Sequence, residues 1–327
     1  MDINKLSAIA KRLVSKNKGV LAADESSPTI KKKFDSIGIE STENNRRDYR
    51  ELLFSTTGIE DYISGIILYE ETLFQKSLNG NLLIDLLKDK KIIPGIKVDK
   101  STKNMTGFKN EKITEGLDGL YERIANYQSQ GVEFTKWRAV ITIGNSIPTN
   151  ECIELNAIYL ARYALISQEV GLVPIVEPEI LMDGDHTIER TAEAQERILT
   201  EVYKACAENG VFLEGSLLKP SMTVSGTDND NKAGSEEVAK TPVRTMERCV
   251  PAAVPGIMFL SGGLTEEDAS VYLNTMNSID HTSSRSFAFS YGRALQQSCL
   301  QAWQGNDIVA GQKALMARAQ ANSEAST

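Results

Sequence analysis

Eight short apolar segments, on average about 38 residues apart, are the feature that most limits what this sequence can fold into. Each is the length of a buried β-strand, and longer helical stretches separate them. Repeated strand–helix units predict a parallel sheet, and eight of them predict a closed (β/α)8 barrel, the TIM-barrel architecture. The segments are Val20–Ala23, Gly65–Leu68, Pro94–Val98, Phe134–Ile141, Val173–Val176, Phe212–Leu218, Ile257–Leu260 and Phe287–Phe289.

Helix signals between and around these segments fit the same architecture. Thr149 and Thr187 stand where the N-caps of two long helices belong. Residues 1–18 predict an added helix before the first strand, and residues 307–322 predict a final helix. No linker or change of composition divides the chain, so we expect residues 1–327 to form one barrel domain.

The charge balance excludes several classes of partner. The chain has 36 Lys and Arg against 44 Asp and Glu, a formal net charge of −8. A general nucleic-acid or anionic-membrane surface would require the opposite sign, so we expect neither partner. An anionic substrate must then be held by a local cluster of cations. No apolar run approaches the ~20 residues of a membrane span, and the first residues lack a signal-peptide core. We therefore expect a cytoplasmic protein.

Histidine and cysteine usage limits the chemistry. Two histidines make a His-rich metal site or a Ser-His-Asp triad improbable. The four cysteines are dispersed and show no CxxC spacing, which predicts free thiols in a reducing compartment. Catalysis must therefore use Lys, Glu, Asp and Arg, and we expect neither a metal nor a cofactor. The residues concerned are His186, His281, Cys152, Cys206, Cys249 and Cys299.

Charged residues collect where the predicted strands end. The carboxyl ends of parallel barrel strands carry the catalytic groups, because the βα loops begin there. One such charge could simply mark a solvated edge, but crowded charges at several corresponding ends shift pKa values and predict an active site. These residues are Asp24, Lys97, Asp99, Lys136, Arg138, Glu177, Glu179 and Lys219.

Three of these residues are the principal candidates for catalysis. Lys219 ends an apolar strand, where aliphatic and cationic neighbours favour the neutral amine that attacks a carbonyl to form a Schiff base. The alternative is a lysine whose ammonium stays in water. The apolar neighbours of Glu177 predict a raised carboxyl pKa, which suits a general acid/base, although a structural ion pair is equally open. Asp24 could deprotonate a hydroxyl or merely cap the next turn.

Two further segments are candidates for anion binding. Ser261-Gly262-Gly263 after a strand offers free backbone N–H groups, a plausible phosphate nest. Gly292-Arg293 follows one strand later, and barrel phosphate sites commonly lie after strands seven and eight. Lys31-Lys32-Lys33 reads as a solvated helix face, from which one lysine could still reach a second anionic group.

Seven segments, taken in order over nearly the whole chain, resemble class I fructose-bisphosphate aldolases. The segment around Lys219 is the most specific of them, and their combination leaves little room for chance. They are Leu21-Ala22-Ala23-Asp24-Glu25-Ser26, Gly95-Ile96-Lys97-Val98-Asp99-Lys100, Lys136-Trp137-Arg138, Val176-Glu177-Pro178-Glu179-Ile180-Leu181, Leu213-Glu214-Gly215-Ser216-Leu217-Leu218-Lys219-Pro220, Leu260-Ser261-Gly262-Gly263 and Ser290-Tyr291-Gly292-Arg293-Ala294-Leu295.

The resemblance implies a (β/α)8 barrel that reversibly cleaves fructose 1,6-bisphosphate to glycerone phosphate and glyceraldehyde 3-phosphate, in glycolysis and gluconeogenesis. It implies that Lys219 is the Schiff-base lysine and that Glu177 assists carbinolamine formation and dehydration. It also implies that Asp24 takes the C4 hydroxyl proton and that Lys136 supports these charges. Class I chemistry requires no metal, and family members are usually homotetramers.

The resemblance also assigns the two phosphates of the substrate. Residues expected to contact the phosphate on C1 are Ser261, Gly262, Gly263, Ser290 and Arg293, and those expected at the other phosphate are Ser26, Lys33 and Lys97. We count Gly292 and Arg138 among the expected substrate-binding residues as well.

Three departures from animal relatives matter. Ser27-Pro28-Thr29 replaces Thr-Gly-Ser, and Lys33 stands where those relatives have arginine, so a single ammonium replaces a planar fork. The sequence ends at Thr327, before the tail ending in tyrosine that many animal members carry. Another group is then expected to protonate the enamine carbon, or a different step limits turnover.

Two alternatives stay open at this point. The chain could be another Schiff-base aldolase acting on a different phosphorylated sugar, and the sequence does not reveal a preference between fructose 1,6-bisphosphate and fructose 1-phosphate. It could also be a non-catalytic scaffold, for example one that binds a cytoskeletal partner through the phosphate pocket. A scaffold would not need Asp24, Lys136, Glu177 and Lys219 together.

Overall fold

The computed structural model describes residues 1–279 and 286–326, so His281 and Thr327 lie outside the described residues. Eight parallel strands within the described residues close into a barrel. They are β1 (Gly19–Ala23), β2 (Ile63–Leu68), β3 (Ile93–Lys97), β6 (Phe134–Ile141), β7 (Val173–Ile180), β8 (Leu217–Leu218), β9 (Gly256–Phe259) and β10 (Ser286–Tyr291), and a separate antiparallel hairpin consists of β4 (Thr102–Asn104) and β5 (Lys112–Thr114). The order around the barrel is β1-β10-β9-β8-β7-β6-β3-β2, which confirms the predicted (β/α)8 fold.

The helices surround this barrel, and their ends follow the local signals. Thr149 and Thr187 are N-caps, each with its side chain accepting a backbone N–H three residues on, as predicted. The predicted added and final helices are also present. The helices are α1 (Ile3–Leu13), α2 (Ser27–Asp35), α3 (Glu43–Ser55), α4 (Glu70–Phe74), α5 (Leu83–Asp89), α6 (Leu120–Ser129), α7 (Asn150–Glu169), α8 (Ile188–Glu208), α9 (Ser235–Cys249), α10 (Glu266–Ser278), α11 (Arg293–Trp303) and α12 (Ile308–Glu324).

Each predicted apolar segment overlaps a barrel strand, but two differ in length from the prediction. The fifth is longer, because β7 runs to Ile180, so the prediction that Glu177 stands at a strand end is wrong and Glu177 lies within the strand. The sixth is shorter than expected. Leu213–Gly215 turns in a 3-10 helix, so only the last two residues of the segment form β8. The backbone N–H of Lys219 still donates to the carbonyl of Val176 at 2.8 Å. This hydrogen bond holds Lys219 against β7 just beyond the end of β8.

Helix α1 closes the amino end of the barrel. Its apolar face, including Leu6, Leu13 and the adjoining Val14, belongs to the same buried cluster as residues inside the barrel. The contact is so close that a Cβ on Gly256 would lie 2.3 Å from a methyl of Val14. Only glycine, which has no side chain, fits at this position. With this end filled, the carboxyl ends of the strands are left as the accessible mouth.

Neither a membrane-spanning helix nor a cluster of metal ligands is present in the described residues. No helix in them is both long enough and apolar enough to cross a membrane. In the same residues, no three His, Cys, Asp or Glu side chains come together as metal ligands would.

Candidate active site

A cavity of about 390 Å³ opens at the carboxyl ends of the strands. It brings together every site residue predicted from the sequence except Gly263, which lines an adjoining cavity of about 420 Å³ with Ser261, Gly262 and Arg293. The predicted residues in the first cavity are Asp24, Ser26, Lys33, Lys97, Lys136, Arg138, Glu177, Lys219, Ser261, Gly262, Ser290, Gly292 and Arg293.

Strand alternation directs the charged side chains into this cavity. On β6, Trp137 points outward and stacks on Tyr163, with 5.5 Å between ring centroids. Side chains alternate along a strand, so Lys136 and Arg138 on either side of Trp137 point inward. On β7, Glu177 is the register partner of Arg138 and lines the same cavity.

Four buried charges form a continuous chain across the cavity floor. The ammonium of Lys136 lies 2.7 Å from Oδ2 of Asp24 and 3.1 Å from Oε2 of Glu177. Oε1 of Glu177 lies 3.1 Å from Nζ of Lys219. All four side chains are at most 13% exposed. Each charge is compensated by an oppositely charged neighbour, which makes burial of the four tolerable.

Neighbouring cations fix the ionisation of both acids. Burial alone would raise the pKa of Glu177, but the charges of Lys136, Lys219 and Arg138 outweigh it and lower that pKa. The sequence-based expectation of a raised pKa for Glu177 is therefore wrong, because cations that are distant in sequence but adjacent in space outweigh the effect of burial. The pKa of Asp24 is also lowered, since Lys136 and Lys219 outweigh its burial.

The ammonium of Lys136 responds in the opposite direction. Burial would lower its pKa, but Asp24, Glu177 and Asp99 raise it well above the ordinary value. Lys136 is thus positively charged at neutral pH in the floor of the cavity. It cannot act as a nucleophile in this state, whereas it can stabilise negative charge on either acid.

One end of the cavity has the features of an anion site. Gly262 adopts a left-handed backbone conformation, with φ of +50°, in the turn after β9. The hydroxyl of Ser290 is buried in the cavity wall and has no hydrogen-bond partner among the described residues. Arg293 is the first residue of α11, where backbone N–H groups and the helix dipole also favour an anion.

The other end holds two lysines, each paired with a carboxylate. Lys33 pairs with Glu25, and Lys97 pairs with Asp99. Ser26 is the N-cap of α2, and its hydroxyl lies 3.0 Å from that of Thr29. Two cations and two hydroxyls therefore lie together in the wall of the cavity.

Arg138 occupies the boundary between the two cavities. Its guanidinium pairs with Glu179, and both residues line both cavities. The pairing with Glu179 raises the pKa of Arg138 further above its ordinary value, although burial opposes this. Arg138 therefore reaches the substrate cavity already neutralised by a neighbouring acid.

The comparisons with known proteins agree with this geometry. The family model for class-I fructose-bisphosphate aldolase, the glycolytic family, matches residues 5–327. The chain belongs to that family. It is 54% identical over 310 residues to cytosolic fructose-bisphosphate aldolase 4 of Arabidopsis thaliana, covering 94% of this chain and 79% of that one. It is 50% identical over 324 residues to the cytoplasmic isozyme of Spinacia oleracea, covering 98% and 90%.

A solved structure of the family superimposes closely. It is fructose-bisphosphate aldolase from Plasmodium falciparum in complex with TRAP and a small-molecule inhibitor, with a TM-score of 0.97 and 49% identity. The match covers 99% of this chain and 94% of that one. As a class I aldolase, the protein is a lyase that cleaves fructose 1,6-bisphosphate through a Schiff base and without a metal.

Some residues of this aldolase cavity could not be singled out from the sequence. Glu25 is part of the motif that carries Asp24, but its partner Arg50 lies on α3, 25 residues away, and no local pattern connects them. Thr29, Ser101 and Thr102 also line the cavity. Only their position in the sequence could have indicated them, since Glu25, Thr29, Ser101 and Thr102 all lie in the segments that follow a barrel strand.

Proposed function

We propose that Lys219, Glu177, Asp24 and Lys136 carry out the aldol cleavage in this cavity, with the two phosphates of the substrate held at its two ends. The observation that supports this assignment is the chain of alternating charges Asp24–Lys136–Glu177–Lys219. Lys136 and Glu177 lie on β6 and β7, and Asp24 and Lys219 directly follow β1 and β8. A nucleophilic amine, an adjacent acid and a separate base are the groups that Schiff-base cleavage requires.

The first step joins Lys219 to the ketone at C2. Glu177, 3.1 Å away, accepts the ammonium proton, and the amine lone pair attacks C2 while the carbonyl π electrons move to oxygen. A proton then passes from the added nitrogen to that oxygen, which gives the neutral carbinolamine with its C2 hydroxyl. Glu177 then returns a proton to the C2 hydroxyl of the carbinolamine, which leaves as water to form the protonated imine. Because the neutral carbinolamine no longer carries the Lys219 charge, the pKa of Glu177 rises at this stage, which favours its role as an acid.

The second step breaks the C3–C4 bond. Asp24 takes the proton of the C4 hydroxyl, and the oxygen forms the aldehyde carbonyl as the C3–C4 bond breaks. The electron pair of that bond forms the C2–C3 double bond of an enamine, and the π electrons of the protonated imine move to its nitrogen. Glyceraldehyde 3-phosphate leaves. Lys136 keeps Asp24 ionised and ready for this proton, because its ammonium lies 2.7 Å from the carboxylate. Return of a proton to C3, which balances the one taken from the C4 hydroxyl, restores the imine, and its hydrolysis by water releases glycerone phosphate and frees Lys219.

The two ends of the cavity position the substrate for these steps. We assign the phosphate on C1 to Ser261, Gly262, Ser290 and Arg293, where a buried hydroxyl has no other partner. We assign the phosphate on C6 to Ser26, Lys33 and Lys97. Lys219 and Asp24 line the same cavity, so a substrate held by its two phosphates would present its ketone to the amine and its C4 hydroxyl to Asp24.

Borohydride trapping tests the assignment. Reduction in the presence of glycerone phosphate should fix a covalent adduct on Lys219, located by peptide mapping. Lys219→Ala should abolish the adduct, whereas Lys32→Ala, which removes an exposed lysine outside the cavity, should retain it. EDTA should leave activity intact. An adduct on another lysine, or activity lost to the chelator, would refute the scheme.

Location and assembly are also proposals. We propose a single domain over residues 1–327 that works in the cytosol as a homotetramer. Relatives are named as cytosolic or cytoplasmic isozymes. The helix α7 exposes Leu155 and Ile158 by 38% and 44%, an apolar face that another copy could cover. Light scattering of the purified protein tests the assembly, and a monomer at micromolar concentration would exclude a stable tetramer.

A protein partner is a separate proposal. The P. falciparum aldolase is described in complex with TRAP. We propose that an acidic segment of a partner protein, for example a cytoskeletal one, enters this cavity through the residues assigned to the substrate phosphates. Binding would then be displaced by fructose 1,6-bisphosphate, and binding that the substrate does not displace would place such a partner elsewhere.

A further inference from the structure

We propose that Glu25 is a positioning residue for the phosphate on C6: its buried carboxylate holds the ammonium of Lys33 in place at that end of the cavity. This inference rests on the proposed function, because it takes Lys33 as a phosphate contact. Glu25 itself need not touch the phosphate.

Glu25 is held between two cations and an amide. Its side chain is 8% exposed, one carboxylate oxygen pairs with Nζ of Lys33, and the other lies 2.7 Å from Nη2 of Arg50. The amide of Gln296 donates to the Lys33-facing oxygen at 3.0 Å. The same amide donates at 2.7 Å to the carbonyl of Ala22 at the end of β1. The carboxylate is thereby fixed relative to the strand that carries Asp24.

The charges explain why this arrangement is rigid. The Arg50 side chain is only 4% exposed, and in the described residues its acidic partner is Glu25. Moving that carboxylate away would leave a buried guanidinium uncompensated, which is costly. Burial would raise the pKa of Glu25, but Lys33 and Arg50 lower it to about 2, so the carboxylate stays charged.

Lys33 gains its fixed position from this anchor. A lysine has a flexible four-carbon stem and a single ammonium, unlike the planar fork of the arginine that animal relatives carry. One of its three N–H groups is directed at Glu25, which leaves two for a phosphate. The second lysine at this end shows the same arrangement, because Lys97 pairs with Asp99 and also donates to its carbonyl at 2.9 Å.

A simple electrostatic effect of Glu25 on the phosphate would change KM in the opposite direction. A carboxylate near an anion site repels the phosphate, so its removal would tighten binding. Positioning predicts that removal weakens binding, because Lys33 then samples many rotamers and is no longer pre-organised. The direction of the change in KM therefore decides between the two.

Glu25→Gln tests the proposal, with two substrates that differ only in the phosphate on C6. The ratio of KM for fructose 1,6-bisphosphate to KM for fructose 1-phosphate should rise at least threefold, with kcat for the bisphosphate changed less than twofold. Glu71→Gln, which breaks another Glu–Arg pair outside the cavity, is the matched control and should leave the ratio unchanged.

Coupling to Lys33 completes the test. In a Lys33→Gln background, adding Glu25→Gln should change the ratio by less than 1.5-fold. Glu25→Asp keeps a carboxylate for Arg50, although on a shorter side chain, and should raise the ratio by less than Glu25→Gln does. If Glu25→Gln does not fold, Glu25→Asp alone is used to test the proposal. An unchanged or lowered ratio, or an equal rise without Lys33, overturns the proposal. Failure of the proposed function is distinct, since Lys33→Gln alone would then leave the ratio unchanged.

Discussion

Replacing Lys136 with methionine removes the central cation of the site while keeping a side chain of similar length. Lys136 is 4% exposed and compensates both Asp24 and Glu177. Without it, two buried carboxylates share Lys219 as their nearest cation. We expect the variant to lose both stability and activity at neutral pH.

The stability loss follows from the geometry. Removing one partner of a buried ion pair costs about 3–5 kcal/mol. Unfolding entropy of about 2.1 cal/mol/K per residue gives about 0.7 kcal/mol/K for 327 residues, so Tm should fall by about 4–7 °C at neutral pH. Loss of a pre-organised charge at the reacting centre should lower kcat by about 10²–10³-fold.

The loss of stability in the Lys136→Met variant should depend on pH in a definite direction. In the variant, burial is no longer offset by Lys136, so the folded-state pKa values of Asp24 and Glu177 rise toward or above their unfolded values. The penalty belongs to the ionised forms. It is therefore largest at neutral pH and shrinks as acidification protonates the two carboxyls.

Thermal unfolding of both proteins across the acidic range is the assay. Lys31→Met is the control, because it breaks an exposed ion pair with Asp35 that should be worth about 0.5 kcal/mol or less. A deficit in the Lys136 variant that is the same at neutral and acidic pH would refute the electrostatic reasoning, as would a deficit no larger than that of the control.

Three other variants test the fold around the site. Gly95→Ala would place a Cβ 2.2 Å from the ring of Phe134 inside the barrel, so we expect about 1–3 kcal/mol of destabilisation by urea unfolding. Thr149→Ala removes the cap that accepts the N–H of Cys152 and should cost about 1 kcal/mol in the same assay, with KM unchanged. The lowered pKa of Glu25, about 2 in the folded protein, contributes stability that is present above its ordinary value of 4.5 and lost below it. Glu25→Gln should therefore lose less stability than the unmodified protein as pH falls from 4.5 toward 2; an equal loss would contradict this.

Local pattern was sufficient for the architecture and for the place of the site. The eight apolar segments matched eight barrel strands, because a strand buried on both faces is continuous and apolar in sequence. Parallel strands bring their carboxyl ends to one mouth, so the position of a residue just after an apolar segment predicted its place in the cavity. Lys219 and Glu177 are located in this way, and 3.1 Å separates their charged atoms.

Properties that depend on distant neighbours could not be obtained in the same way. The direction of the Glu177 pKa shift was wrong from sequence, because the cations that decide it come from other strands. The Glu25–Arg50 pair joins the segment after β1 to α3, two elements that no local pattern connects. The packing of α1 against the amino end of the barrel likewise depends on all eight strands being in place.

The order and type of the elements, and which charged residues line the cavity, could thus be predicted from the sequence, since periodicity and burial act over a few residues. The ionisation of the acids and the anchoring of Lys33 were decided by the tertiary structure. Coulomb interactions depend on distance in space and on exclusion of water, and neither is a property of local sequence.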